Sequence, residues 1–210
     1  MADTTSMSPA KVATASASLD PTALQEGVYS VRLNENNTAV IEPGAVTFSD
    51  GSKYSGGLRA GVRHGHGVLK FASGEVYEGE WRRDKRDGKG TMTFAKGHVY
   101  TGQWRGDHMS GHGSETFPDG NVYEGTYDGG MMKGQGVLRF ANGDRYEGAF
   151  DKDRMQGQGK LVQANGDVVE GVFKDGKRDG EMVVTYGATG KRYTVVFEND
   201  AVVGVPTLIP

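Results

Sequence analysis

The same pattern restarts every 23 residues, at Tyr54, Tyr77, Tyr100, Tyr123 and Tyr146, with Val169 opening a weaker sixth copy. The copy from Tyr77 to Val99 reads YEGEWRRDKRDGKGTMTFAKGHV; YTGQW, YEGTY and YEGAF open the next three, YSGGL the one before and VEGVF the last. A self-similar period of roughly 20–50 residues is the mark of a stacked array, in which each unit buries its apolar face only against its neighbours. The array is entered in mid-phase. GAVTFSDGSKY (44–54) aligns with GVLKFASGEVY (67–77), so residues 44–53 form a half copy.

Each copy carries two runs with the period of two that strands require. In the first, Tyr77, Gly79 and Trp81 point one way, and Glu78 and Glu80 the other. In the second, Gly88, Gly90, Met92 and Phe94 alternate with Lys89, Thr91 and Thr93. The runs are joined by segments such as ASG, PDG and ANG, where two turn residues of positive φ are expected, and by a loop of about six residues (82–87). That loop holds Gly61, Asp84, Asp107, Gly130, Asp153 or Gly176 at its eighth repeat position. Both residue types tolerate left-handed backbone, so one turn shape is expected throughout. The glycines have a mechanical reason as well: Gly79 and Gly90 leave gaps over which an aromatic ring can lie. The shared face becomes a ladder of Tyr54, Tyr77, Tyr100, Tyr123 and Tyr146 with Trp81, Trp104, Tyr127, Phe150 and Phe173. Phe48, Phe71, Phe94, Phe117, Phe140 and Tyr186 add a third row. The opposite face is mostly Glu, Thr, Gln, Lys and Arg.

Composition narrows the function classes. There is no cysteine, which excludes disulfides and thiolate zinc sites and points to a reducing, cytosolic setting. No apolar run of about 18 residues occurs, and the first twenty residues lack a signal-peptide core. Of the 34 glycines only Gly27 precedes residue 44, so glycine here is structural and periodic. The net charge of −3 resides in residues 1–43, and the remaining 22 basic and 22 acidic residues cancel. A neutral array lacks the basic footprint of a general nucleic-acid binder, so no nucleic-acid partner is expected.

The segments outside the array read differently. Residues 1–20, rich in Ser, Thr and Ala, are expected to be a disordered tail. Residues 21–43 hold two short strand signals, GVYSVRL (27–33) and Thr38–Glu42, placed to cap the open edge of an array. Residues 193–210 continue as a strand, YTVVFEND, and an apolar tail, AVVGVPTLIP, suited to covering an edge or binding. Departures gather near the ends of the array, as caps would: Leu58 stands for the aromatic in the first full copy, Val169 for Tyr, Gln163 for Phe and Met182 for the second glycine, and the GATGKR turn (187–192) is one residue longer. Glu115 places a carboxylate on the aromatic face.

No enzyme chemistry emerges. His64 and His66 could share a face, but two ligands without a third do not make a metal site. The repeated Glu of YEG is an open row rather than a paired acid and base. No cofactor, metal or catalytic residue is expected.

The YEGEW, GxG and F-x-x-G elements at this spacing resemble the MORN (membrane occupation and recognition nexus) repeat, over residues 44 to about 192 with repeats starting at 54, 77, 100, 123, 146 and 169. The resemblance implies an all-β fold: an elongated, single-layer antiparallel sheet of tandem β-hairpins. It also implies protein or lipid contacts, frequently in cytoskeletal, ciliary or flagellar (axonemal) assemblies. The expected function is a non-enzymatic, protein-binding scaffold. Its anchors would be the aromatic face, namely Tyr77, Trp81, Tyr100, Trp104, Tyr123, Tyr127, Tyr146 and Phe150, because large aromatics dominate interface energies. The alternative is a peripheral membrane protein binding anionic phospholipids through Arg82, Arg83, Lys85 and Arg86. The apolar 201–210 segment is the candidate for homo-oligomer formation.

Overall fold

The computed structural model describes residues 30–33, 39–42 and 45–210. The expected disordered tail, residues 1–20, lies outside the described residues. Two short strands, β1 (Ser30–Leu33) and β2 (Ala39–Glu42), pair antiparallel as a separate two-stranded sheet. The array is one open antiparallel sheet of fifteen strands in strict chain order, with no crossover. Its strands are β3 (Ala45–Thr47), β4 (Lys53–Arg59), β5 (Val62–Lys70), β6 (Val76–Arg82), β7 (Lys85–Thr93), β8 (Val99–Arg105), β9 (His108–Thr116) and β10 (Val122–Asp128). They continue as β11 (Met131–Arg139), β12 (Arg145–Asp151), β13 (Arg154–Val162), β14 (Val168–Lys174), β15 (Lys177–Thr185), β16 (Arg192–Glu198) and β17 (Ala201–Ile209). There is no α-helix among the described residues, only a 3₁₀ turn at Ala95–Gly97. The chain divides into two units: Met1–Ala95 with Trp104–Asp107, and Lys96–Gln103 with His108–Pro210.

Each copy contributes a seven-residue and a nine-residue strand, and the difference is a bulge. Across β6 and β7, Gly79 pairs with Gly90 and Trp81 with Arg86, so Asp87, Gly88 and Lys89 oppose Glu80 alone. Gly88 takes φ 116°, a left-handed conformation that glycine adopts without a steric cost. The bulge turns Gly88 away from the ring ladder: an added Cβ there would overlap the side chain of outward-facing Glu80. The expected one-face alternation of Gly88 with Gly90 is thereby corrected.

Both connections differ in detail from the expected turns. The six-residue loop is a two-residue turn between long strands. Arg83 and Asp84 have φ 52° and 65°, and Lys152 and Asp153 repeat the pattern at 48° and 65°. Two left-handed residues in a row match the right-handed twist of the flanking strands, and the positive φ expected at the Gly/Asp position is present in all six copies. At the opposite edge, Phe71 to Gly74 forms a four-residue turn, with Gly74 N–H donating to Phe71 O at 3.0 Å and Phe71 N–H to Glu75 O at 2.9 Å. Only the glycine is left-handed in this turn, at φ 101°. Lys96–Gly97 is the exception, with both residues positive.

Hairpin tips are stitched to the hairpin before. Asp84 N–H donates to Arg63 O at 3.0 Å, and the Asp84 carboxylate accepts from Arg63 N–H at 2.8 Å. Asp107 on Arg86 and Asp200 on Arg178 repeat this arrangement. Each such bond satisfies a backbone group that a free tip would leave to water.

Candidate interaction surfaces

The tyrosine ladder forms because each ring fits over glycine. Tyr77 lies along its own strand across Gly79 and reaches Gly90 on the next. A Cβ on Gly90 would stand 2.6 Å from the ring Cζ and 2.7 Å from Cε2. The hydroxyl then donates to Glu80 O at 3.0 Å, the carbonyl of the one residue left opposite the bulge. Tyr54, Tyr100, Tyr123 and Tyr146 do the same to the carbonyls of Gly57, Gln103, Thr126 and Ala149, at 2.8–3.2 Å. Burial lifts the hydroxyl pKa of these four from 10.0 to about 12, and raises that of Tyr77 as well.

The larger rings close the ladder edge to face, the geometry the ring quadrupole favours. Tyr77 stands between Trp81 and Trp104 at centroid distances of 5.0 and 5.3 Å. In the other unit, Tyr123 stands between Tyr127 and Phe150 at 5.3 and 4.9 Å. Trp81 and Trp104 donate to the carbonyls of Gly67 and Gly90 at 3.1 and 3.2 Å. Arg63 covers the Trp81 ring at 4.2 Å and Arg86 covers Trp104 at 4.4 Å, each held by Asp84 or Asp107. All eight aromatics expected to anchor a partner, Tyr77, Trp81, Tyr100, Trp104, Tyr123, Tyr127, Tyr146 and Phe150, are at most 5 % exposed. They are brought together as expected, but as the array's own core, and they offer a partner no area in this conformation. The flanking row is more open: Phe48, Phe71, Phe94, Phe117 and Phe140 are half-buried and Tyr186 is exposed.

The sixth copy shows the same fit by its exception. Val169 replaces the tyrosine, and Met182 replaces the glycine that a ring would cover. The Met182 side chain fills the space over Gly171, and both Val169 and Met182 are buried.

Glu115 has a partner set that sequence reasoning missed. It occupies the slot of Leu69, Met92, Leu138 and Leu161, yet it is buried. Its Oε2 accepts from the Tyr127 hydroxyl at 2.7 Å, and its Oε1 lies 2.6 Å from His98 Nε2. His98 stacks on Phe117 at 5.8 Å. Burial, then the bond to Glu115, drives the Tyr127 pKa far up. The usable signal was coincidence of departures: Tyr127 is the one tyrosine in the Trp/Phe slot, and Glu115 the one carboxylate in the Leu slot.

The basic cluster divides. Arg86 faces the ring ladder and pairs with Asp107, so it leaves the group in which it was placed. Arg82, Arg83 and Lys85 are exposed. With Arg59, His64 and Asp87 they line a cleft of about 620 Å³ at the tips of β4–β5 and β6–β7. A smaller groove of about 280 Å³ crosses the outer face between His112, Glu124, Gln135, Val137 and Glu147. Exposed apolar side chains concentrate near the C-terminus. Val205 is 91 % exposed and Val202 and Leu208 are each 54 % exposed, all on β17, which is hydrogen-bonded on one side only.

The MORN repeat model matches residues 54–76, 77–99, 100–122, 123–145, 146–168 and 170–181. No curated protein matches the chain. Among solved structures, the chain is similar to the TCP domain of SAS-4 (dCPAP) of Drosophila Melanogaster, in complex with a proline-rich motif of Ana2 (dSTIL). The TM-score is 0.49 and the identity 12 %, over 80 % of this chain and 90 % of that one. The TCP10 domain of Danio rerio CPAP gives a TM-score of 0.41 at 17 % identity, over 86 % and 95 %.

Proposed function

This chain belongs to the MORN repeat family, and from that premise we propose that it works as a non-enzymatic scaffold that binds other proteins. The observation carrying the proposal is β17. It is the outermost strand of the sheet, nine residues long, with exposed Val202, Val203, Val205 and Leu208 and one backbone edge open. A strand of that kind receives a partner by strand addition: the open amides and carbonyls supply hydrogen bonds and the apolar side chains supply area. Pro206 removes one donor and so limits which register a partner strand adopts. Binding through β17 takes over the role first assigned to the buried rings. A second copy of the chain, paired antiparallel β17 to β17, is the form that self-association takes in this proposal.

Light scattering on the full chain and on a Val203→Lys/Val205→Lys variant tests this. The charged variant loses self-association and partner capture while its circular dichroism stays unchanged. Equal mass and equal capture in both proteins would remove β17 from the proposal. A cytoskeletal setting, with the ciliary axoneme as its specific form, is part of the proposal and rests on the family. Imaging of the endogenous protein after detergent extraction tests it, and complete extraction argues against it. No helix among the described residues is long and apolar enough to cross a membrane.

A further inference from the structure

The tip cleft of β4–β5 and β6–β7 differs from every other tip, and the repeat makes the difference readable slot by slot. After the second-ring slot of each copy, which Leu58 fills in the first, stand Arg59, Arg82, Arg105, Asp128, Asp151 and Lys174. The first turn residue is Ala60, Arg83, Gly106, Gly129, Lys152 or Asp175. The first residue of the following strand is Val62, Lys85, His108, Met131, Arg154 or Lys177. Only around the cleft do Arg59, Arg82, Arg83 and Lys85 coincide, and they do so on one 620 Å³ space.

The cations there are largely unmatched. Among the described residues Asp87 is the only carboxylate lining the cleft, and it is taken by Arg82 at 2.8 Å. Arg59, Arg83 and Lys85 have no ion pair among the described residues, whereas the neighbouring Arg63 and Arg86 are both turned to the ring face and paired.

We propose that this cleft docks a phosphorylated segment of a protein partner, with Arg59 and Arg83 presenting guanidinium forks to the phosphate and Lys85 adding charge. A phosphoserine brings a charge of about −1.5 to −2 and three acceptor oxygens, and guanidinium binds such oxygens two at a time. The cleft is far larger than one phosphate, which leaves room for flanking peptide. A membrane surface fits less well. Amphipathic membrane-surface sites join cations to apolar side chains that enter the bilayer, and among the described residues every exposed large apolar side chain, from Met131 to Leu208, belongs to the other unit. Nor, among the described residues, does the cleft carry an aromatic ring on which a nucleobase could stack. The proposal rests on the scaffold reading for its class of partner but uses a different surface.

The test uses the full chain and a fluorescein-labelled pentapeptide, Gly-Gly-phosphoserine-Gly-Gly, beside its serine counterpart, followed by anisotropy and by the arginine Nε–Hε resonances. The comparison variant is Arg59→Asp/Arg83→Gly/Lys85→Met, each residue borrowed from the same slot of another copy so that the hairpins stay folded. Expected are saturable binding of the phosphopeptide alone, shifts confined to the cleft arginines, and at least a tenfold loss of affinity in the variant. Equal affinity for both peptides, or for both proteins, overturns the proposal. So does binding of the wild type to vesicles containing phosphatidylserine that the phosphopeptide does not displace. A chain that fails this test yet still captures partners through β17 loses the cleft alone and keeps its role as a scaffold.

Discussion

Gly90→Ala adds one methyl group at the place where the packing argument is most exposed. The new Cβ would fall within 2.7 Å of Tyr77 Cε2 and Cζ and overlap its hydroxyl oxygen. The ring cannot give way. It is 0 % exposed, it is held edge-on by Trp81 and Trp104, and its hydroxyl is bonded to Glu80 O. Overpacking of this kind costs about 1–3 kcal/mol, and displacing the ring forfeits a hydrogen bond worth about 1 kcal/mol. Against this stands the gain from replacing a strand glycine, about 0.5–1 kcal/mol. The net expectation is a loss of about 1–3 kcal/mol, from the same terms. Gly90 does not have positive φ, so backbone strain contributes nothing and the clash is isolated.

The sixth copy supplies the control. Tyr77→Val/Gly90→Met installs the Val169/Met182 pair in the β6–β7 hairpin. Tyr77→Val alone leaves a cavity, and Gly90→Met alone meets the ring. Together they fill the same space, so the double variant retains at least about 2 kcal/mol more stability than the two single losses predict, a coupling within the range for residues in contact. Urea unfolding followed by tryptophan fluorescence reads this directly, because the chain's two tryptophans are the ones flanking Tyr77. A Gly90→Ala protein within about 0.5 kcal/mol of wild type, or strictly additive losses in the cycle, would refute the ring-over-glycine account; surface-like behaviour has that magnitude.

Three further outcomes follow from the same geometry. Tyr123→Phe deletes the donor to Thr126 O and lowers stability by about 1 kcal/mol, measured by thermal melting. Glu115→Leu strands the Tyr127 hydroxyl in the core and costs about 1–3 kcal/mol; adding Tyr127→Phe, so that both slots match Leu138 and Phe150, recovers most of that loss in urea titrations. Stability also falls on the alkaline side. Tyr54, Tyr100, Tyr123 and Tyr146 keep their protons to about pH 12 in the fold, whereas an unfolded tyrosine releases its proton near 10. The folded state therefore binds more protons in that window. The contribution is whole below pH 10 and lost as pH rises to about 12. Urea midpoints that stay flat from pH 9 to 12 would contradict this.

The hairpins, their order and the ring-over-glycine fit were legible because a period of two inside a period of 23 leaves few alternatives. The bulge was not. In the GxG of Gly88 and Gly90 both residues look equivalent, and only the register, with three residues opposite Glu80, shows that the first turns outward. The burial of the rings was missed for a related reason. A single-layer sheet seems to leave its apolar face bare, but the next copy's ring and the tip arginine supply the missing layer locally, as Arg63 does over Trp81. A trace of this was present in the letters. Asp at the second turn position goes with Arg one hairpin earlier in Arg63/Asp84, Arg86/Asp107 and Arg178/Asp200, whereas Met109 and Met155 go with Gly130 and Gly176. Met132/Asp153 breaks the rule, since its carboxylate needs only the backbone N–H, at 2.8 Å.

The division of labour within a copy follows from those two layers. Ring and glycine slots are coupled across strands, so a change at one demands a change at the other, as Val169 and Met182 show. Outward slots and the slot before each turn carry no such demand: the slot of Arg82 holds Asp128 or Asp151 without any change in turn φ sign or pairing. Information about a partner can therefore be written only where the fold is indifferent. The places where several indifferent slots depart together are the tip cleft, where four cations coincide, and the last strand, where apolar residues occupy positions open to water. A residue conserved in kind through every copy tells how the array stands; a residue peculiar to one copy, and exposed, tells what the array is for.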